Sequence, residues 1–279
     1  MPAAASIVVP TRNRADYLRV CLASLVAQDT DAAFEVIVVD DGSTDATPAV
    51  AAQAGAKLIP QPARGPNAAR NAGFRAAAAD LVVFVDDDID APPSWLAAVL
   101  DGARRHAGAD AFGGPIRARL EGPAPRSCGR EPAPITTLDL GPDDREAELV
   151  WGANMAVRRR AFERVGAFDE ELPQFGEEEE WLNRLRADGG QVMYLAQARV
   201  DHRREADDAR LRALMRGAYV RGRSLRSHDV RRGSAPPLWQ ELRVLAGCGW
   251  HTVRRRCPQG LVMGAHSLGR LAAALRGPS

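Results

Sequence analysis

Apolar residues come in short runs along the first hundred positions. Each run is followed by a polar loop and then by a stretch with helical spacing. Residues 6–9 and 34–39 form the first two runs, and residues 57–60 and 81–85 the next two. Aliphatic and β-branched runs bounded by turn formers predict buried strands. Between the first two, Leu18, Cys21, Leu22 and Leu25 recur three and four apart, which predicts a helix over 16–27. Helices are also predicted over 47–54, 68–79 and 95–106, the last behind Pro92-Pro93-Ser94. Strands alternating with helices predict parallel βαβ units and a doubly wound sheet.

The rhythm changes beyond residue 112. Residues 121–145 are rich in Pro, Gly and charge and are expected to form a long loop or flap. Residues 150–157 read as extended and 158–165 as helical. A helix with an acidic first turn is predicted over 177–188, stopped by Gly189-Gly190. Short extended pieces follow at 192–195 and 198–202. From residue 211 the chain is Arg-rich and helical, with breaks near 233–237 and 257–260. These changes divide it into residues 1–112, 113–205 and 206–279.

Composition adds a core and a polarity. Of 279 residues, 46% are apolar, enough for a packed core. The net charge of +1 hides an asymmetry: residues 203–279 carry 16 Arg against 5 acids, so residues 1–202 are net acidic. Three roles suit the basic tail. It can form a solvated helical cover, dock on an acidic membrane surface through Trp239, Trp250 and residues 261–263, or dock an acidic carrier protein. Cys21, Cys128, Cys248 and Cys257 show no CxxC pair and no metal-ligand spacing, so reduced thiols are expected and structural zinc is not. With no signal-peptide core and no long apolar stretch, a cytoplasmic location is expected, peripheral at the inner membrane face if the tail docks there.

The chemistry concentrates after the fourth run, at Asp86-Asp87-Asp88. An open α/β sheet binds its ligands outside the carboxyl ends of its strands. Carboxylates packed there repel one another unless a cation joins them, and a hard divalent ion suits oxygen ligands. The same edge is predicted to carry Thr11, the pair Asp40-Asp41 and, at a loop–helix junction, Arg70. An arginine and a metal ion suit a diphosphate, and a carboxylate accepts from a base N–H or a ribose hydroxyl. Neither a Walker A loop nor a GxGxxG is present.

SIVVPTRNRADYLRVCLASLVAQ, FEVIVVDDGSTDAT and GPNAARNAGFRAAAADLVVFVDDDI resemble the nucleotide-sugar half of the family 2 glycosyltransferases. WGANMAVRRRAFERVGAFDEEL and FGEEEEWLNRL are similar to that family's acceptor-side blocks. The resemblance covers about residues 5–205. It implies a GT-A fold, a Rossmann-like mixed but mostly parallel sheet flanked by helices, here with a helical Arg-rich C-terminal extension. It also implies that Pro10, Thr11, Arg12, Asp40, Asp41, Arg70, Asp86 and Asp87 line the nucleotide-sugar site, a UDP-sugar being the expected donor. Asp86 and Asp88 would form the DxD element and, with His202, hold Mn2+ or Mg2+; an imidazole favours manganese. Trp151, Gly152 and Asn154 would lie under sugar and acceptor. Glu178 stands where the family usually has an Asp as general base; it is one methylene longer, with Glu177 and Glu179 as alternatives.

The expected reaction is a single inverting displacement. It would move a hexosyl or N-acetylhexosaminyl group to a hydroxyl or amine of a small, lipid-linked or carrier-bound acceptor. Two alternatives compete: a nucleotidyltransferase, for which PTRNRAD lacks the expected glycines, and a non-catalytic nucleotide-sugar-binding protein of the same fold. No base-stacking aromatic platform for nucleic acid is apparent.

Overall fold

The computed structural model describes residues 3–122, 126, 128–130, 135–172, 177–231 and 233–276, with the side chains of Glu177 and Arg276 outside that description. The chain divides into two compact units. One comprises Met1–Ala118, Thr136–Glu170 and Glu177–His202; the other comprises Arg119–Ile135, Glu171–Gly176 and Arg203–Ser279. The expected flap over 121–145 is thus split between them and lies partly outside the described residues.

The first unit is built on an eight-stranded sheet. Strands β1 (Ala5–Thr11), β2 (Phe34–Asp40), β3 (Lys57–Pro60) and β4 (Leu81–Phe84) run parallel in the order β3-β2-β1-β4. Ile7, Val8, Val9, Val82, Val83 and Phe84 are fully buried. That is why β1 and β4 read as unbroken apolar runs rather than alternating ones. The connections are α1 (Ala15–Val26), α2 (Thr47–Gln53) and α3 (Pro66–Ala76). Helix α3 starts and stops earlier than its apolar spacing predicts. Pro66 sits in its first turn behind Gly65 at φ 95°, and Ala77 is already extended.

The sheet continues through β9 (Met155–Arg158), antiparallel to both β4 and β6 (Ala111–Gly113), then through β10 (Val192–Tyr194), parallel to β6, to the short β8 (Arg145–Glu146). A smaller sheet has the order β5-β11-β7, from β5 (Ile89–Asp90), β11 (Val200–Arg204) and β7 (Ile116–Leu120). Helices α4 (Trp95–Arg105), α5 (Arg159–Val165) and α6 (Glu177–Ala187) complete this unit.

The second unit contains α7 (Leu211–Arg231), α8 (Leu238–Arg255) and α9 (Gln259–Arg276). Glycines let α7 and α9 approach closely: a Cβ on Gly222 would lie 2.0 Å from the His266 carbonyl oxygen, and one on Gly269 2.1 Å from that of Tyr219. Arg270 ties the bundle, donating to Glu241 Oε1 at 2.7 Å and Asp229 Oδ2 at 2.6 Å. Among the described residues, no helix is long and apolar enough to cross a membrane.

Candidate active site

Parallel pairing of β1 with β2 and β4 brings Thr11, Asp40 and the carboxylate triplet to one sheet edge. Asp87 and Asp88 are buried there, and Asp86 is half-buried. Two of the three turn inward. Thr11 Oγ1 donates to Asp87 Oδ2 at 2.7 Å, and Arg14 reaches Asp87 Oδ1 at 3.1 Å and Asp88 Oδ2 at 2.8 Å. Burial pushes the Asp87 carboxyl up to about 7; Arg14 opposes that rise and Asp88 adds to it. Burial opposes the charge on Arg14, but Asp87 and Asp88 outweigh it and raise its pKa above the ordinary value. Burial, with Asp87 and Asp88, also pushes the Cys21 thiol well up beneath the cluster.

Arg14, which sequence reasoning missed, is therefore the cation that faces the carboxylates from this loop, while Arg12 is exposed. The signal was present. Arg14 caps α1 four positions before Leu18, whose N–H donates to the Arg14 carbonyl at 2.9 Å, and Leu18 begins the buried line of Leu18, Cys21, Leu22 and Leu25.

Helix α3 supplies the second cation. A Cβ on Gly73 would lie 2.2 Å from Val8 Cγ1, so α3 packs against β1 without an intervening side chain. One turn earlier Arg70 is 4% exposed. Its Nη2 donates to Asp86 Oδ1 at 3.2 Å and stands 3.5 Å from Glu178 Oε1. Asn67 and Asn71, on the same face, donate to the carbonyls of Asp169 and Phe168.

Glu178 is buried because it shares a helix face with Trp181, Leu182 and Leu185, all fully buried. Spacings of three, four and seven place these four on one side of α6. Its Oε1 accepts from Gly152 N at 3.0 Å. Glu180 instead accepts from Arg184 at 2.7 and 2.9 Å on its two oxygens. The Glu177 side chain lies outside the described residues.

His202 arrives through the small sheet, where β11 pairs antiparallel with β5 and sets His202 opposite Ile89, directly after the triplet. Its Nδ1 lies 3.0 Å from the Thr136 carbonyl oxygen, which only accepts, so Nδ1 carries the proton and donates. In the neutral ring Nε2 then presents a lone pair, and it faces Asp88 Oδ1 at 3.1 Å. Two acceptors at that distance require a proton or a metal ion between them. Adjacent ligands of an octahedral ion bonded at about 2.1 Å stand about 3 Å apart. Asp86, Asp88 and His202 each offer a ligand atom within 4.8 Å of the others. Asp86, Asp88 and Glu178, when ionised, outnumber Arg14 and Arg70 by one charge, and by two where Asp87 is ionised as well. The donor set and the charge balance both fit a divalent cation.

The remaining residues have more structural surroundings. Asp41 holds the loop at 61–65, accepting from Gln61 Nε2 at 2.7 Å, Arg64 N at 2.8 Å and Gly65 N at 2.9 Å. Asp40 Oδ1 accepts from Ser43 N at 2.9 Å. Pro10 is half-buried within β1. Asn154 accepts from Trp95 Nε1 at 3.0 Å and donates to the Ala198 carbonyl at 2.7 Å, so its amide bridges the fold. Trp151 is half-buried against the core, beside Gly152.

Comparison with known proteins gives a consistent family. The sequence model of glycosyl transferase family 2 matches residues 6–166. A pre-mycofactocin glycosyltransferase of Mycobacterium tuberculosis is 30% identical over 263 residues, 88% of this chain and 53% of its own length. A validoxylamine A glucosyltransferase of Streptomyces hygroscopicus is 30% identical over 220 residues, 66% of this chain and 51% of its own length. The chain thus spans about half the length of these curated relatives. Among solved structures, the mannosyltransferase PcManGT of Pyrobaculum calidifontis, in complex with GDP-Man and Mn2+, aligns with a TM-score of 0.60 at 20% identity. That alignment covers 100% of this chain and 78% of that one. GalNAc-T7 with UDP, GalNAc and Mn2+ aligns with a TM-score of 0.59 at 15% identity, over 77% of this chain and 47% of that one. At those identities the structures speak for the fold alone. By sequence the chain belongs to glycosyl transferase family 2, and its architecture is the GT-A fold.

Proposed function

We propose that this chain is a metal-dependent inverting glycosyltransferase. It takes a sugar from a nucleoside-diphosphate sugar, a UDP-sugar in the first instance, and passes it to a hydroxyl or amine acceptor. The observation that carries this reading is the buried Asp88 Oδ1–His202 Nε2 contact at 3.1 Å beside Asp86, three ligand atoms within 4.8 Å of one another. Asp86, Asp88 and His202 would hold the ion, manganese in preference to magnesium because of the imidazole. When bound, such an ion neutralises charge on the departing nucleoside diphosphate. The GDP-Man, UDP and Mn2+ of the structural neighbours support the same class of donor.

The protein's own residues have distinct tasks. Thr11 and Arg14 pin Asp87 and one oxygen of Asp88, which fixes the edge on which the donor rests. Pro10, Arg12, Asp40 and Asp41 border the base and ribose. Arg70 stands between Asp86 and Glu178, and so between donor and acceptor. Glu178, aimed by Gly152 N–H and Arg70, accepts the acceptor's proton as the new glycosidic bond forms. Trp151 and Gly152 floor the acceptor side, and Asn154 positions them. One displacement inverts the anomeric carbon, with no covalent intermediate.

The test is a screen of nucleotide sugars with Mn2+, read first as a thermal shift and then as nucleoside-diphosphate release. One donor should stabilise the chain and be turned over, and EDTA should abolish both effects. No response to any nucleotide sugar would refute the reading.

A second reading concerns the acceptor. Trp239, Leu242, Ala246, Trp250 and Val253 form one face of α8, and Trp239, Trp250 and Val253 are 63%, 69% and 77% exposed. Exposed Arg243, Arg254 and Arg255 accompany them. Apolar residues with tryptophans and flanking arginines suit an anionic bilayer surface better than a purely acidic carrier. A lipid-linked acceptor is the matching substrate.

A further inference from the structure

The four cysteines are scattered in sequence, and their spacing gives no metal motif. The second unit nevertheless brings two of them to one histidine. Cys128 Sγ lies 3.5 Å from His251 Nε2, and the ligand atoms of Cys128, His251 and Cys257 are all within 4.8 Å of one another. We infer that these three residues form a second metal site, for a thiophilic divalent cation such as zinc, separate from the carboxylate–histidine site.

The geometry is tetrahedral in scale. With Zn–S of about 2.3 Å and Zn–N of about 2.05 Å, tetrahedral ligands stand about 3.6 Å apart for sulfur and nitrogen and about 3.8 Å for two sulfurs. The observed sulfur–nitrogen distance matches, and the 4.8 Å bound asks for a shift of no more than about 1 Å. Two thiolates and an imidazole select zinc-like ions over magnesium or calcium.

The backbone holds two of these ligands together. Helix α8 ends at Arg256, a non-glycine residue at φ 48°. That left-handed turn folds Cys257 back beside the last helical turn, where its N–H donates to the Thr252 carbonyl at 3.2 Å. The turn is locked by Gly260: a Cβ there would lie 2.3 Å from Thr252 Oγ1 and 2.9 Å from the Cys248 carbonyl oxygen. Cys257 is buried and His251 half-buried on α8, while Cys128 is exposed and comes from the segment Arg119–Ile135 of the same unit. A metal ion would therefore clip that segment to the α8–α9 turn. Three protein ligands leave a fourth position for water or an acceptor group.

Cobalt substitution tests this with a signal the carboxylate site does not give. Reduced, metal-free chain titrated with Co2+ should gain a thiolate-to-cobalt charge-transfer band and tetrahedral d–d absorption, with the intensity of one thiolate-bound ion per chain and bleached by zinc. Cys128→Ser, at an exposed position that leaves the fold intact, should lose most of the charge-transfer band, and Cys257→Ser should do the same. Asp88→Asn should leave it unchanged. Absence of the band in the reduced protein would overturn the inference, as would its persistence in the Cys128→Ser/Cys257→Ser double variant. Recovery of a Cys128–Cys257 disulfide whose reduction restores no metal uptake would overturn it too. Loss of transferase activity plays no part in this test, so its outcome is independent of the proposed reaction.

Discussion

Replacing Gly152 by alanine tests how Glu178 is held. A Cβ at position 152 would stand 2.4 Å from Glu178 Oε1 and 2.9 Å from Arg70 Nη2, with both side chains buried. One of them must move, and the Gly152 N–H···Oε1 bond of 3.0 Å lies directly in the way. A hydrogen bond to a charged group contributes about 1.5–3 kcal/mol. The bond weakens as the carboxylate takes the acceptor's proton, so it serves catalysis by aiming Oε1, and displacing that oxygen should lower kcat by about tenfold to about a hundredfold. The upper bound is loss of the base itself, about 10²–10⁴. The assay is nucleoside-diphosphate release at saturating donor and Mn2+, for Gly152→Ala alone and in a Glu178→Ala background. Without the long side chain at 178 only the 2.9 Å approach to Arg70 remains, which the end of that side chain can relieve by shifting into the space left by Glu178, so most of the loss should vanish there. An equal fold-loss in both backgrounds, or a normal kcat for the single variant, would refute the reasoning.

Other outcomes follow from the same geometry. Glu178→Gln should lower kcat by about 10²–10⁴ while donor affinity, measured by calorimetry, changes little; normal turnover would move the base elsewhere. Trp239→Ser/Trp250→Ser should abolish sedimentation with anionic vesicles without altering release of nucleoside diphosphate from soluble donor. Binding of the native chain to an acidic carrier but not to vesicles would favour the other docking partner. Burial lowers the pKa of His266, and Arg270 and Arg221 lower it further. The unfolded chain then binds the proton more readily, so this histidine's contribution to stability is complete above its ordinary value near 6.5 and is lost as pH falls through the depressed folded value. Thermal melts from pH 7.5 to 5 should show that loss, reduced in His266→Gln; a parallel pH profile in the variant would exclude His266 as its source.

How much of this was legible in the sequence depends on the range of the interactions. Strands β1, β2 and β4 were visible because they are buried on both faces and each following helix on one, so local pattern carries the answer; β3, half-exposed at the sheet edge, showed only as a short run. The antiparallel insertion of β9 between β4 and β6 was not, because strand order is a long-range choice that a four-residue apolar run does not encode. The triplet and Arg70 were recognisable as motif. Glu178 was singled out within the acidic run by the resemblance, whereas Arg14 required noticing a charged residue four positions before an apolar helix stripe. Arg14 lies in line with Leu18, Arg70 with Phe74, and Glu178 with Trp181 and Leu185. A charge on a buried stripe is costly unless partnered, so such positions mark where partners converge. His202 was expected from the resemblance, and only the β5–β11 register shows how it reaches Asp88; the Cys128–His251–Cys257 cluster joins Cys128 to residues more than a hundred positions away.

The account rests on a metal ion at Asp86, Asp88 and His202 that couples to the donor. Calorimetric titration of UDP and of GDP, with Mn2+ and with EDTA, into the native chain and Asp88→Asn measures that coupling directly. At least one nucleotide should bind the native chain only when Mn2+ is present and fail to bind the variant, while the variant's melting shows it folded. Equal affinity with EDTA, or full Mn2+-dependent binding by Asp88→Asn, would contradict the account.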